Sequence, residues 1–484
     1  MSGLQRLGAD VRQARMCGQA GRPGDGLTEQ GASVPIGEAK FPAPFSSGLE
    51  YAPPARGTWN IVHIGMLLPE SHQIFVCAQA CLRGVVLTAA EMNAMDRFST
   101  ISVEDHNLMD GDMEEMMIEG VEDILNRLPR HPRAVLLYTS CVHHFIGCDL
   151  NYVYQRLREK FPDVDFTDCY MNPIMRKTKM TPDAKMRMQL YSLIKEGQKA
   201  KRKINFIGNN EPTRESSEMV QMIRQAGYEV GDICFCRSYQ EYQRLGESRY
   251  NITYNPSAVA AADQLERRLG IPHLHLPLSY DYEEIDENLI RLAEILGVQT
   301  PDLAALRRQA EEELGKTARA IEGMAVAIDF TAVSRPLGLA RLLLSHGIQV
   351  EEVYADTFIP AEKPAFDWLQ EHAAKLRLYA TVQVKMGMLP HSKAQERGGK
   401  LLAIGQKAAW YTGTRYLVNM VEGSGLLGYD GVIRLARWMR EAATQEADVE
   451  SIIQVKGWGV ADEPGQSNFV YLHGGRLRRV FRSL

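Results

Sequence analysis

Cys77 and Cys81 lie four residues apart in the stretch SHQIFVCAQACLRGVVLTAAEM, shortly after His72. On a helix this spacing would put both thiols on one face. Cys141 ends the apolar run RAVLLYTSC (133–141), which predicts a buried strand. Thiolates bind iron–sulfur clusters, zinc or copper, and the repeated Cys-x₂-Cys pairs usual for zinc do not occur here.

Iron–sulfur ligation accepts cysteines from separate loops or separate chains. Three cysteines are one fewer than the usual four, so an iron–sulfur site built on Cys77, Cys81 and Cys141 would need a partner subunit. Free cysteine is also among the most buried residue types, and packing alone is an equally open interpretation of the spacing.

Length and composition limit the class of protein. A chain of 484 residues is long enough for about three domains. The net charge of −5 gives no electrostatic footprint for nucleic acid or an anionic membrane surface. The N-terminus lacks an apolar signal core, and the sequence has no run of eighteen apolar residues, so we expect a cytoplasmic protein with no membrane partner. Eight cysteines in that reducing compartment are not a disulfide framework.

The elements that must position these thiols follow a repeated pattern. Residues 1–57 are rich in Gly, Pro, Ser and Ala and predict an irregular N-terminal arm. Apolar runs then alternate with amphipathic helices three times, over 58–200, 201–320 and 321–484. We therefore predict an α/β fold of three doubly wound, Rossmann-like parallel-sheet domains. Ligands of such sheets bind outside the carboxyl ends of the strands, where Cys141 is expected.

Two other motifs are weaker. The sequence GSGLLG (423–428) fits the glycine pattern of a dinucleotide site, but no strand with a terminal acid follows at the expected distance of about 20 residues. The sequence LGKT (314–317) has the Lys-Thr of a phosphate loop, but the required earlier glycine is Ala310. The surrounding residues predict a charged, solvated helix. A metal-free NAD or sugar-nucleotide enzyme that uses GSGLLG remains an alternative.

The first domain resembles the nitrogenase component 1 superfamily, through GLEYAPPARGTW, ESHQIFVCAQACLRG and RAVLLYTSCVHHFIGCDLNYV. His72 followed by Cys77 matches one family cysteine, and Cys141 before IGCDL (146–150) matches another, so the resemblance implies that both are cluster ligands. The family's first cysteine falls on Leu49, and we infer that Cys81 supplies the missing thiolate.

The resemblance also bears on a second, larger iron–sulfur cofactor. The segments that hold it in nitrogenase α subunits correspond to ITYNPSA (252–258) and NMVEGSGLLGYDGV (419–432), and neither contains Cys or His. The chain thus holds no second cluster or uses other ligands, such as Cys169, Cys234 or Cys236. Cys234 and Cys236 alternate as strand residues do, and burial is expected for at least one. His143 and His144 could support a cluster or lie at the surface.

The resemblance implies a subunit of the catalytic component of a nitrogenase-like reductase. Such a subunit holds a P-cluster-like 8Fe-7S or a 4Fe-4S cluster shared with a homologous subunit, in a heterotetramer, and receives electrons from an ATP-dependent iron protein. The substrate is a small molecule, and the methylthio-alkane reductases are the members that we expect this chain to match. A cofactor-assembly scaffold and a tetrapyrrole reductase subunit are the alternatives.

Overall fold

The computed structural model describes residues 32–46, 48, 50, 55, 60–172, 180–197, 202–383, 386, 400–452, 470–473 and 476–479. The chain forms two compact units. One contains residues 58–306 and 422–432, with the candidate cysteines, and the other contains residues 307–421 and 433–457 with the N-terminal residues. The predicted boundaries at 200 and 320 remain predictions.

The strands are short and mostly buried. They are β1 (Ser33–Pro35), β2 (Ser71–Cys77), β3 (Phe98–Ser102), β4 (Ala134–Ser140), β5 (Asp165–Met171), β6 (Lys203–Phe206), β7 (Glu229–Asp232), β8 (Tyr250–Thr253), β9 (His273–His275), β10 (Ala325–Asp329), β11 (Val350–Tyr354), β12 (Arg377–Tyr379), β13 (Leu401–Ile404), β14 (Tyr416–Val418), β15 (Val470–His473) and β16 (Arg476–Arg479).

Helices connect most of these strands. They are α1 (Ile61–Met66), α2 (Gln79–Glu91), α3 (Asp105–Asp110), α4 (Met113–Arg127), α5 (Cys141–Ile146), α6 (Leu150–Lys160), α7 (Pro182–Ser192), α8 (Glu218–Gln225), α9 (Tyr239–Gln243), α10 (Val259–Leu269), α11 (Tyr282–Leu296), α12 (Leu303–Ala320), α13 (Pro336–Ser345), α14 (Lys363–His372), α15 (Gln406–Thr412), α16 (Gly428–Thr444) and α17 (Val449–Ile452). None of the described helices is long and apolar enough to cross a membrane.

Three parallel sheets organise the described chain. Their strand orders are β3-β2-β4-β5, β7-β6-β8-β9 and β1-β12-β11-β10-β13-β14, where the edge strand β1 is antiparallel. In each sheet the first parallel strand of the chain lies inside the sheet, with later strands added on both sides, as in doubly wound folds. The predicted α/β class with doubly wound sheets is confirmed. The arm was predicted to be irregular, but its residues 33–35 form β1.

The first sheet is apolar on both faces because helices cover both of them. β4, with the sequence AVLLYTS, is buried at every residue, and the continuous apolar run is typical of a central parallel strand. Ile74 and Val76 of β2 pack into one core with α4 and α6, whereas Phe75 packs into the other core with α1 and α7. The two cores fix the pleat of β2 and therefore the side on which each of its residues lies.

A buried histidine joins two strands of this sheet. His72 on β2 is 3% exposed, and its Nε2 lies 2.8 Å from the hydroxyl of Ser99 on β3. Burial, with a smaller contribution from the Arg97 guanidinium, lowers the pKa of His72 from 6.5 to about 4. The folded unit therefore favours the neutral imidazole.

This pKa predicts a pH-dependent stability. The contribution of His72 is complete above pH 6.5 and is lost as the pH falls from 6.5 to about 4, because only the unfolded chain then accepts the proton readily. The free energy of unfolding should fall by about 3 kcal/mol over this range, because each pKa unit of difference corresponds to about 1.4 kcal/mol. Denaturant unfolding of the wild type and of His72→Gln across this pH range measures it. The variant should have a flatter profile, whereas His144→Gln at an exposed position should match the wild type; equal slopes for all three would contradict the assignment.

Candidate metal centre

The carboxyl ends of β2 and β4 form the point where the winding of the first sheet reverses. β2 is the first strand, β3 lies on one side of it, and β4 and β5 lie on the other. The connections on the two sides leave the sheet in opposite directions, which opens a crevice between these two strand ends. Cys77 is the last residue of β2, and Cys141 directly follows β4 as the first residue of α5.

The pairing register brings the two strand ends level. Val76 pairs with Thr139 across the parallel ladder, so Cys77 and Cys141 lie within two residues of the same rung. Cys81 is the third residue of α2, whose first turn begins two residues after Cys77. Because α2 begins at this edge, the partial positive charge of its N-terminus lies on the same side of the sheet as the thiols.

The three thiols differ in exposure and interact electrostatically. Cys77 is fully buried, Cys141 is half-buried and Cys81 is exposed. Burial, and then the neighbouring Cys81 and Cys141 thiols, raise the pKa of Cys77 to about 12. Thus negative charge on either neighbour is felt at Cys77, and the thiolate form of this residue would be unfavourable without a cation.

This donor set fits an iron–sulfur cluster. Bound cations deprotonate coordinating thiols and reverse the unfavourable charge. The three sulfur atoms do not all lie within 4.8 Å of one another, whereas the described ligand atoms of Asp263, Glu266 and His273 do. If the thiolates bound one metal ion, with metal–sulfur bonds of about 2.3 Å, their sulfur atoms would lie about 4 Å from one another. A cluster accepts wider spacing, because each thiolate binds a different iron atom.

Large apolar side chains are exposed at the same edge. The helices that follow β3 and β4 expose Leu108 and Met109 on α3 and Phe145 and Ile146 on α5, with Met109 85% exposed and Phe145 70% exposed. Tyr152 on α6 is 40% exposed. We call these five residues the apolar rim. Exposed apolar side chains in one region are typical of a protein–protein contact.

The two histidines after Cys141 have different environments. His143 is buried, and its Nδ1 accepts the backbone N–H of Ser140 at 3.2 Å, which caps the N-terminus of α5. Burial lowers its pKa from the ordinary value. His144 is exposed. His143 therefore stabilises the turn that contains Cys141, whereas His144 lies at the surface.

The other candidate cysteines do not lie at this edge. Cys169 is fully buried within β5 and packs in the core. The strand interpretation of Cys234 and Cys236 is wrong, because β7 ends at Asp232 and a 3₁₀ turn follows at Ile233–Phe235. The Asp232 carboxylate accepts the Cys234 backbone N–H at 2.8 Å and stabilises this turn. Both thiols pack against the same core as Cys169. Leu49 and Cys17 lie outside the described residues.

The glycine motif has a structural explanation. Gly425 has a φ of 68°, and a Cβ there would overlap the carbonyl oxygen of Pro212. α16 begins at Gly428, and its backbone N–H at Asp430 donates to Glu218 Oε1 at 2.7 Å. An internal carboxylate thus takes the position at the helix N-terminus where a phosphate would bind. This arrangement disfavours the dinucleotide interpretation of GSGLLG.

The sequence LGKT (314–317) is helical, as predicted. Lys316 and Thr317 lie inside α12, and Lys316 is exposed. The prediction of a fully solvated face is wrong, because Thr317 is buried and donates to the carbonyl oxygens of Glu313 and Ala436 at 2.9 Å. A residue held in this way has no freedom to bind a phosphate.

Comparisons with known proteins agree with this organisation. Residues 64–444 match the family model of the nitrogenase component 1 type oxidoreductases. The chain is similar to two structures described as Nitrogenase Cp1, at pH 6.5 (TM-score 0.60, 16% identity, 82% of this chain and 94% of the other) and at pH 5 (TM-score 0.52, 12% identity, 88% and 96%). Comparison with curated proteins gives no match. The match to the family model covers most of the sequence, and the chain therefore belongs to the nitrogenase component 1 type oxidoreductase family.

Proposed function

We propose that this chain is a subunit of the catalytic component of a nitrogenase-like reductase and that Cys77, Cys81 and Cys141 contribute thiolates to an iron–sulfur cluster. The observation that carries the proposal is the placement of Cys77 and Cys141 at adjacent strand ends, where the Cys77 thiol interacts electrostatically with both other thiols. Family membership supports an oxidoreductase. Cys81 then takes the place of the thiolate that the family has at Leu49.

A homologous subunit would complete the cluster. Cys81 is exposed beside the buried Cys77, so the donor set faces outward on one side. Three thiolates leave at least one iron of a small cluster without a cysteine ligand. The apolar rim lies on the helices that follow β3 and β4, and Met109 and Phe145 are its most exposed members. A partner that covers the rim would exclude water from the cluster and could add the missing ligands, in a heterotetramer of two such pairs.

The chain's own residues prepare this site in three ways. Burial of Cys77 at the end of β2 keeps water from one side of the site. The N-terminus of α2 supplies partial positive charge beside the Cys81 thiolate. The cap that His143 provides fixes the first turn of α5 and with it the Cα position of Cys141. An iron–sulfur cluster at this place would transfer single electrons.

The source of electrons would be a separate ATP-dependent iron protein. LGKT and GSGLLG are the two sequences that suggested a nucleotide site in this chain, and both are explained by contacts within the fold. A separate iron protein would therefore bind and hydrolyse ATP, and this chain would be the electron acceptor.

We infer that the substrate is a small methylthio-alkane. The chain keeps thiols in the first domain, but ITYNPSA and NMVEGSGLLGYDGV lack the cysteine and histidine that hold the nitrogenase cofactor. Two electrons and two protons convert a thioether R–S–R′ into R–SH and R′–H by breaking one C–S bond. A larger iron–sulfur cofactor for this step would lie in the partner or use other ligands.

Anaerobic purification with the co-expressed partner tests this function. Brown protein with several iron and sulfide ions per chain, and with a homologous subunit bound, is the expected result. Dimethyl sulfide or methylthio-ethanol should then be reduced when an iron protein and ATP are present. Cluster-containing protein that transfers its cluster but reduces no substrate would favour an assembly scaffold, and colourless protein would contradict both.

Substitution of single cysteines identifies the ligands. Cys77→Ser and Cys141→Ser should lose most of the iron, because each variant removes one of the two thiolates at the ends of β2 and β4. Cys81→Ala should lower the iron content or change the electron paramagnetic resonance spectrum. Cys148→Ser is the matched control, since this half-buried thiol packs against the core that α4 and α6 share, and it should keep the wild-type iron content. A Cys81→Ala protein with wild-type iron and spectrum would show that this thiol is not a ligand.

The apolar rim predicts where the partner binds. Met109→Asp with Phe145→Asp should raise the dissociation constant of the subunit pair by about 1,000-fold, since central apolar residues contribute about 2 kcal/mol each and about 1.4 kcal/mol is a tenfold change. Ile290→Asp places the same charge on α11 of the second sheet, where Ile290 is 39% exposed, and should bind normally. Analytical ultracentrifugation of the anaerobic proteins measures the difference. Equal affinities for all variants would place the interface elsewhere.

A further inference from the structure

The second sheet has the same reversal of winding as the first. β6 is its first strand, β7 lies on one side, and β8 and β9 lie on the other. The crevice of this sheet is therefore expected between the carboxyl ends of β6 and β8. The loop after β6, residues 207–213, lies at this place. It contains Asn209 and Asn210, both more than nine-tenths buried, and Oδ1 of Asn209 has no hydrogen-bond partner in the described part of the chain.

Residues 422–425 pack onto this loop in an unusual backbone conformation. Glu422, Gly423, Ser424 and Gly425 have φ values of 47°, 86°, 46° and 68°. Consecutive left-handed residues are rare, and each non-glycine residue in this region costs about 1–2 kcal/mol. Because Glu422 and Ser424 carry side chains, the turn is strained. It persists only if contacts outside the turn hold it.

A buried ion pair supplies such a contact. The Arg187 side chain is 1% exposed, and its Nη2 donates to Glu422 Oε2 at 3.1 Å. The same guanidinium donates to Asn210 Oδ1 at 2.8 Å and to the carbonyl oxygen of Gly208. Asn210 in turn donates to the Glu422 carboxylate. Asp183 on α7 also faces Arg187, at 3.2 Å. Glu422 is thus tied both to α7 and to the loop that follows β6.

The rest of the segment lies close to the same loop. Gly425 approaches the Pro212 carbonyl oxygen so closely that a Cβ would not fit. Beyond the turn, Asp430 accepts the hydroxyl of Ser216 at 2.9 Å, and its backbone N–H donates to Glu218. The strained turn is therefore fixed at both ends over the carboxyl end of β6.

We propose that residues 422–425 form a strap that covers the crevice of the second sheet, and that the Arg187–Glu422 ion pair is its latch. Relief of the left-handed strain favours release of the strap, whereas the ion pair favours closure, because a broken pair would leave the buried Arg187 guanidinium with Asp183 but without its second carboxylate partner. The two opposing contributions make this strap a local element that can open without unfolding the sheet. Access to this crevice through the strap does not depend on a metal at the first sheet.

Hydrogen exchange of the full-length protein tests the latch. Glu422→Gln removes the charge but keeps the shape, and amides 422–428 should exchange about tenfold faster, because a charge-assisted hydrogen bond is weakened. Amides of β6 and β8 should keep their wild-type rates. Glu122→Gln is the control, since it removes the ion pair between Glu122 on α4 and Lys160 on α6 and should change neither region. Unchanged exchange at 422–428, or an equal increase in β6 and β8, would overturn the latch.

A second variant tests the cover itself. Gly425→Ala leaves both latch residues in place but adds a Cβ that overlaps Pro212, so the strap should lift and amides 422–428 should again exchange faster. Cys234 lies beside Asn209, with its Sγ 3.9 Å from the Asn209 amide nitrogen. Its alkylation by iodoacetamide, located by peptide mass spectrometry, should be faster in both variants than in wild type. If amides 422–428 exchanged faster but Cys234 was not alkylated faster, the strap would not cover the crevice.

Discussion

The parallel pairing of β2 with β4 is the constraint on which the candidate metal centre depends. Both strands run in the same direction in adjacent positions, so Cys77 and Cys141 must emerge at one edge of the sheet. A slip of one residue in β2 would move Ile74 and Val76 out of their core and place Phe75 on the wrong face. The apolar residues of β2 therefore determine the position of a thiol that makes no contribution to the pairing itself.

The same constraint explains why one chain provides buried and exposed thiols together. Cys77 is still part of the strand and is buried, whereas α2 must leave the sheet to reach β3 and so carries Cys81 outward. The end of β2, the turn and the start of α2 all lie within the five residues from Cys77 to Cys81. A site built in this way is rigid on the side of the sheet and open on the side of the helix, which suits a cluster shared between two chains.

The sequence was sufficient for the features that depend on local pattern. The run RAVLLYTSC predicts β4 because its residues are apolar on both faces, and Cys141 at its end follows from that strand. Features that join distant segments were not predictable. Arg187 and Glu422 are 235 residues apart, and neither has a local signal for its ionic partner. The turn at Cys234 was missed for a different reason: alternation predicted a strand, but the side chain of Asp232 binds the backbone N–H of Cys234 and ends β7.

Three sheets with reversed winding offer three crevices, but their chemistry differs. In the third sheet, Asp329 ends β10, and its carboxylate accepts the Ala408 backbone N–H of α15 at 2.7 Å. Gly405 lies so close to the Asp329 carboxyl group that any side chain would overlap it, so an internal carboxyl group fills the crevice. The second crevice is polar and lies under a strained turn. Among the described residues, the first crevice alone combines thiols from a strand end and two helix starts with an exposed face. The common fold therefore provides three positions for ligands, and the thiols at its strand ends are the reason that we propose the first position as the cluster site.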